Sequence, residues 1–237
     1  MFRTDRGEFN WISFLLLFNI VIFSIYLLLG ASGPLDEVNI YGIFNAAAVK
    51  EGYFWLFLTS NFLHFEAWHI FFNMMALFQI GNLIQEFYSS KKLFITYIVS
   101  GIISGIGTLI YANALNENIA SLGASGAVFG LLGLLIGGTL KTNRYGTSLP
   151  FSTESFIPTL VLAVLIAFMP NVNWVAHIFG LIAGILLGFL FENNMLAKTS
   201  QRDLKLESFM YIFTIGIFVI SYGLLIANLL TGFAEKL

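Results

Sequence analysis

Residues 123–140 read GASGAVFGLLGLLIGGTL, a glycine-punctuated apolar run with Ser125 at its mouth. A second run of the same make opens at Ala176-His177-Ile178-Phe179-Gly180 and carries a histidine at its mouth. A nucleophilic or ionisable side chain inside a bilayer is expensive and marks a functional site. A serine alone says little. A serine and a histidine at the same end of two glycine-rich helices suggest a nucleophile and its base.

The composition sets the environment of these two helices. Of 237 residues, 58% are hydrophobic and 10% are charged, and the mean hydropathy is +0.85. Soluble domains carry roughly 25% charged residues, so the composition is that of an integral membrane protein. A net charge of −2 gives no argument for nucleic-acid binding. Cysteine is absent, which excludes disulfides, thiolate metal sites and a cysteine nucleophile. The first apolar run is too long for the core of a signal peptide and reads as a transmembrane helix.

Seven apolar stretches approach the length of about 20 residues that crosses a hydrocarbon core. They are 10–29, 68–86, 93–112, 125–140, 153–169, 174–191 and 208–230. The fourth and fifth are short, so one end of each is expected to stop inside the bilayer. No repeat, low-complexity tract or soluble domain interrupts them, and residues 1–237 read as one all-α polytopic membrane domain. Basic residues orient it. Arg3, Arg6, Lys91, Lys92, Lys141, Arg144, Lys198, Arg202 and Lys205 fall before span 1 or after spans 2, 4 and 6, whereas only Lys50 and Lys236 fall on the other side. The positive-inside rule then places the N-terminus in the cytoplasm and the C-terminus outside.

That orientation gathers the unusual polar residues. Spans 2, 4 and 6 all run from outside to inside, and they open with His69 and Asn73, with Ser125 and with His177 respectively. Three distant segments thus deliver their polar groups to a similar depth in the outer leaflet. Gly126, Gly130, Gly133 and Gly137 in span 4, and Gly180, Gly184 and Gly188 in span 6, line helix faces that approach closely. A close crossing of these spans would bring the Ser125 hydroxyl within hydrogen-bond reach of the His177 ring. An imidazole, with an ordinary pKa of about 6.5, suits proton removal near neutral pH. No aspartate lies in any of the seven stretches, so a Ser–His dyad is expected rather than a triad. The backbone N–H of Ser125, the Asn73 amide and the His69 ring are candidate donors to an oxyanion. Gly123 lets the incoming chain bend and expose the serine. With Ala127 two residues after the serine, this is not the G-x-S-x-G motif of soluble hydrolases.

These residues carry a family resemblance. His69-x-x-x-Asn73, Gly123-x-Ser125-Gly126, and Ala176-His177 followed by Gly180 and Gly184 resemble the rhomboid intramembrane serine proteases, with His64 five residues before His69 matching as well. The likeness covers roughly residues 40–191. It implies a six-helix core over about 10–191 and an additional C-terminal span over about 208–230. It also implies Ser125 as nucleophile, His177 as general base and acid, and His69 and Asn73 as oxyanion-stabilising groups. Phe129 stands where an aromatic ring, commonly Tyr, stacks on the catalytic imidazole. Residues 30–67 would form a lateral loop partly embedded in the membrane, and span 5 with residues 170–173 a gate for the substrate helix. Two positions depart from the pattern: Trp55 is followed by Leu56 rather than Arg, and Gln85 stands, beside Glu86, where Glu is common.

The implied function is an endopeptidase that cleaves transmembrane-helix substrates in or near the outer leaflet. It needs no cofactor, and three histidines without a nearby carboxylate make a weak metal site. Its partners are transmembrane protein substrates and the lipid bilayer, with no nucleic acid; the oligomeric state is open. A bacterial plasma membrane is the expected location. Two other classes stay open: a non-catalytic rhomboid-superfamily protein that binds client transmembrane helices, and a small transporter with His69 and His177 as proton relays. The intact Ser125 and His177 weigh against the first, and the lack of any internal repeat against the second. Ser104 and Ser121 read as ordinary helix serines bonded to their own backbone, and His64 as a residue that packs or caps the end of the lateral loop.

Overall fold

The computed structural model describes residues 9–28, 42–143, 161, 172–193 and 200–234. The fifth expected span, 153–169, lies outside the described residues except for Val161, as do Arg3, Arg6, Arg144, Lys198 and Lys236. The described chain runs α1 (Trp11–Leu28), β1 (Phe44–Asn45), α2 (Ala46–Lys50), α3 (Leu56–Thr59) into a 3-10 turn (Ser60–Phe62), and α4 (Ala67–Gln85). It continues as α5 (Ser90–Leu115), β2 (Ala120–Ser121), α6 (Ser125–Asn143), α7 (Trp174–Leu190) and α8 (Gln201–Ala234). Helices α1, α4, α5, α6 and α8 are long and apolar enough to cross a membrane, and α7 is a shorter apolar helix of 17 residues. The molecule is an all-α, multi-pass integral membrane protein.

Polar caps, not hydropathy, set where several helices end. The Ser89 hydroxyl accepts the Lys92 N–H at 3.2 Å and starts α5 three residues before its apolar run. Asn116, in the left-handed region at φ 54°, closes that helix. The Ser200 hydroxyl accepts the Asp203 N–H at 3.1 Å, so α8 begins at Gln201, seven residues before the expected 208. Helix α6, the expected fourth span, runs on to Asn143 and reaches 19 residues, longer than expected. At 1.5 Å per residue, α8 is about 51 Å long against a hydrocarbon core of about 30 Å, so part of it projects.

Helix α6 sits at the centre of the bundle and meets α7 backbone to backbone. A Cβ added at Gly180 would collide with the Gly126 carbonyl oxygen, and one at Gly184 with that of Gly130. From the other side, a Cβ at Gly133 or Gly137 would strike the carbonyls of Leu181 and Ile185. Without a hydrophobic drive between helices in lipid, such contact supplies the dispersion attraction and Cα–H···O bonds that hold them. On the opposite side, Ser100 and Ser104 of α5 press on Gly130 and Gly126. Around this spine, Phe62 is wholly buried among Phe18, Tyr97, Phe218 and Tyr222, which joins α1, the 3-10 turn, α5 and α8.

The segment 42–66 reaches across to the start of α6 at three points. Its strand β1 pairs antiparallel with β2, Phe44 opposite Ser121 and Asn45 opposite Ala120. The Ser60 carbonyl accepts the Gly123 N–H at 2.9 Å. The His64 Nε2 accepts the Ala124 N–H at 3.3 Å. Ser121 therefore belongs to a strand and not to a helix; its hydroxyl accepts from Asn173. Ser104 does bond its own helix, donating to the Gly101 carbonyl at 2.7 Å.

Candidate active site

Gly123 makes the turn that presents Ser125. Its φ of +112° is a backbone conformation that side chains rarely tolerate, and a Cβ there would lie 2.8 Å from His69 Nε2. The next residue but one begins α6, so the Ser125 hydroxyl stands at a helix N-terminus whose backbone N–H groups lack intrahelical partners. His64 takes up the Ala124 N–H and so fastens the peptide beside the serine; it caps the start of α6 rather than its own loop. Burial, with a smaller contribution from His69, pushes the His64 pKa down to about 3, which leaves Nε2 free to accept.

His177 lies on the first turn of α7. Asn173 caps that turn by accepting the Ala176 N–H at 3.2 Å, and its amide donates to Thr108 at 2.7 Å and to Ser121 at 3.2 Å. The glycine crossing then brings the ring onto α6: His177 Nε2 and Ser125 Oγ are 2.7 Å apart. The ring of Phe129, one turn beyond the serine, stacks on the imidazole at 4.4 Å and 9°. His177 is 3% exposed, and among the described residues its Nδ1 has no hydrogen-bond partner. The pair thus stands without a carboxylate.

The other expected residues lie alongside. His69 is half-buried against Gly123, with its ring 5.0 Å from that of His64. Asn73 is buried behind it and donates one amide N–H to the His69 carbonyl at 2.9 Å, while its Oδ1 has no partner among the described residues. Among the described residues its second amide N–H makes no bond. A cavity of about 450 Å³ opens over Ser125 and His177 and is walled by His69, Ser104, Thr108, Ser121 and Asn173 among others. Asn173 was not among the candidates read from sequence, although an asparagine just before an apolar helical run is a readable N-cap signal.

Comparison with known proteins identifies the family. The rhomboid domain family matches residues 51–194. YdcA of Bacillus subtilis is 33% identical over 157 residues, covering 65% of this chain and 74% of its own. Rhomboid protease GluP of the same organism is 25% identical over 225 residues, 94% of this chain and 42% of its own. Rhomboid protease GlpG of Haemophilus influenzae is 28% identical over 170 residues, 70% of this chain and 83% of its own. Most of the curated relatives are longer, and the match spans about half of their length or less. A multi-pass helical bundle with a serine–histidine pair in a cavity defines the class. The chain belongs to the rhomboid family.

Proposed function

We propose that the chain cleaves transmembrane-helix substrates within or near the outer leaflet, using Ser125 and His177 as a catalytic dyad. It is a rhomboid-type intramembrane serine protease: the family match and the relatives named as proteases support that class. The observation that carries the mechanism is the 2.7 Å contact between His177 Nε2 and Ser125 Oγ at the floor of the cavity.

His177 takes the Ser125 proton as Oγ attacks the scissile carbonyl carbon. The carbonyl oxygen becomes an oxyanion, met by the Ser125 backbone N–H, the free Asn73 amide N–H and the His69 ring. The tetrahedral centre collapses when the imidazolium gives its proton to the leaving nitrogen, which releases the amine half of the substrate. Water entering through the cavity loses a proton to His177 and attacks the acyl ester; proton return to Oγ frees the acid half. Stacking on Phe129 keeps the ring plane fixed through both transfers. A substrate helix must unwind locally, because its carbonyls are otherwise bonded within the helix. The basic-residue distribution supports a cytoplasmic N-terminus and an outward-facing site, and a bacterial plasma membrane is the location assigned.

The test is cleavage of a single-span reporter in liposomes by the natural protein, Ser125→Ala and His177→Ala, with fluorophosphonate labelling of Ser125 alongside. Cleavage and labelling by the natural protein, and neither by the two variants while they stay folded, is the expected result. Cleavage that persists in Ser125→Ala refutes the nucleophile.

A further inference from the structure

The cavity rim carries a carboxylate without a structural task. Glu66 holds the N-cap position of α4, where a side-chain oxygen ordinarily satisfies a free N–H of the first turn. Its carboxylate makes no such bond, and it joins none of the ion pairs found among the described residues. It is exposed and lines the cavity that holds Ser125 and His177. Of the described residues around that cavity it is the single carboxylate, and none is lysine or arginine. The segments expected on that side of the membrane share its sign. The segments 30–67 and 113–124, which the basic-residue distribution assigns to the site's side of the membrane, hold Asp36, Glu37, Glu51, Glu66 and Glu117 against Lys50 alone. A cleft of one sign with low-dielectric walls concentrates ligands of the opposite charge.

We propose that Glu66 determines specificity at this cavity, favouring substrates with a lysine or arginine in the few residues that flank the scissile bond on the Ser125 side. The inference rests on the proteolytic reading above and adds the substrate class. A segment laid across Ser125 has its flanking residues over the rim. There a basic side chain meets the carboxylate and an acidic one is repelled. Because Glu66 reaches solvent, the preference is modest, about five-fold in kcat/KM for one charge, and it weakens as salt rises.

The experiment uses three single-span reporters in liposomes of neutral lipid, identical except for Lys, Gln or Glu at one flanking position. The natural protein is expected to rank them Lys above Gln above Glu at low salt. In Glu66→Gln the ratios collapse to within about two-fold whatever the absolute rate, and in Glu66→Lys the ranking reverses. Protection of Ser125 from fluorophosphonate by each reporter gives a second reading that does not depend on turnover. Equal treatment of the three by the natural protein, or a ranking that survives Glu66→Gln, overturns the specificity while leaving the protease intact. If Ser125 takes no fluorophosphonate and no reporter is cut, the proteolytic reading fails and the specificity falls with it.

Discussion

The two ends of the bundle bury polar groups in opposite ways. At the Ser125 end they are neutral and incompletely bonded: His177 Nδ1 and Asn73 Oδ1 have no partner among the described residues, and one N–H of Asn73 is spare. At the far end the buried charged groups are bonded on several sides. Lys92, 3% exposed, donates to the Glu192 carbonyl at 2.7 Å, pairs with Asp203 at 2.5 Å and stands 3.6 Å from Glu207. Asp203 also accepts the Glu192 N–H, Glu207 accepts from Ser89, and Lys141 donates to the Phe191 carbonyl. The cationic groups there meet the C-terminal carbonyls of α7, where the helix dipole favours positive charge. These bonds fasten α8 and the tail of α7 to α5.

The largest expected effect comes from removing the centre of the charged end. Lys92→Met leaves two buried carboxylates facing each other and is expected to lower stability by about 3 kcal/mol. Adding Asp203→Asn to that variant should recover part of the loss; unfolding in detergent measures both, and a Lys92→Met protein as stable as the natural one would erase the contrast between the ends. The next effect concerns His64. Its neutral ring is buried and accepts from Ala124, so below its ordinary pKa of 6.5 the unfolded chain binds a proton that the folded one refuses until about pH 3. Stability then rises with pH across that window, and falls as pH drops through it. His64→Gln, which keeps an acceptor, should remove about 1.4 kcal/mol per pH unit from the slope. An unchanged slope between pH 4 and 6, roughly the middle of the window, would show that His64 accepts a proton in the folded state. The smallest effect belongs to the spare end: Ser125→Ala is expected to change stability by less than about 1 kcal/mol. A larger loss would mean that the hydroxyl is structural.

Much of this was readable from residue order. The glycines at spacings of three and four announced the crossing of α6 and α7, and Ser125, His177, His69 and Asn73 stood at the same ends of alternate spans. What stayed hidden was either too short or too distant. Two-residue strands have no periodicity to detect, so the β1–β2 pair that ties residues 44–45 to the approach of Ser125 left no trace. Lys92 counted among the basic residues that orient the chain, yet the structure buries it against an acid 111 positions away. That acid was passed over because the first turns of α8 are polar and read as loop. Span 5, expected to form the gate with residues 170–173, stands outside the described residues.

The contact between α6 and α7 has a consequence for how this protein can change over generations. The separation of Ser125 and His177 follows from main-chain atoms touching at Gly126, Gly130, Gly180 and Gly184, not from the fit of any large side chain. Ile178, Ile182 and Leu186 on the outer face of α7 are exposed and take no part in that contact. Substitutions there can suit a bilayer of different thickness or fluidity without touching the contact that sets the distance between oxygen and nitrogen.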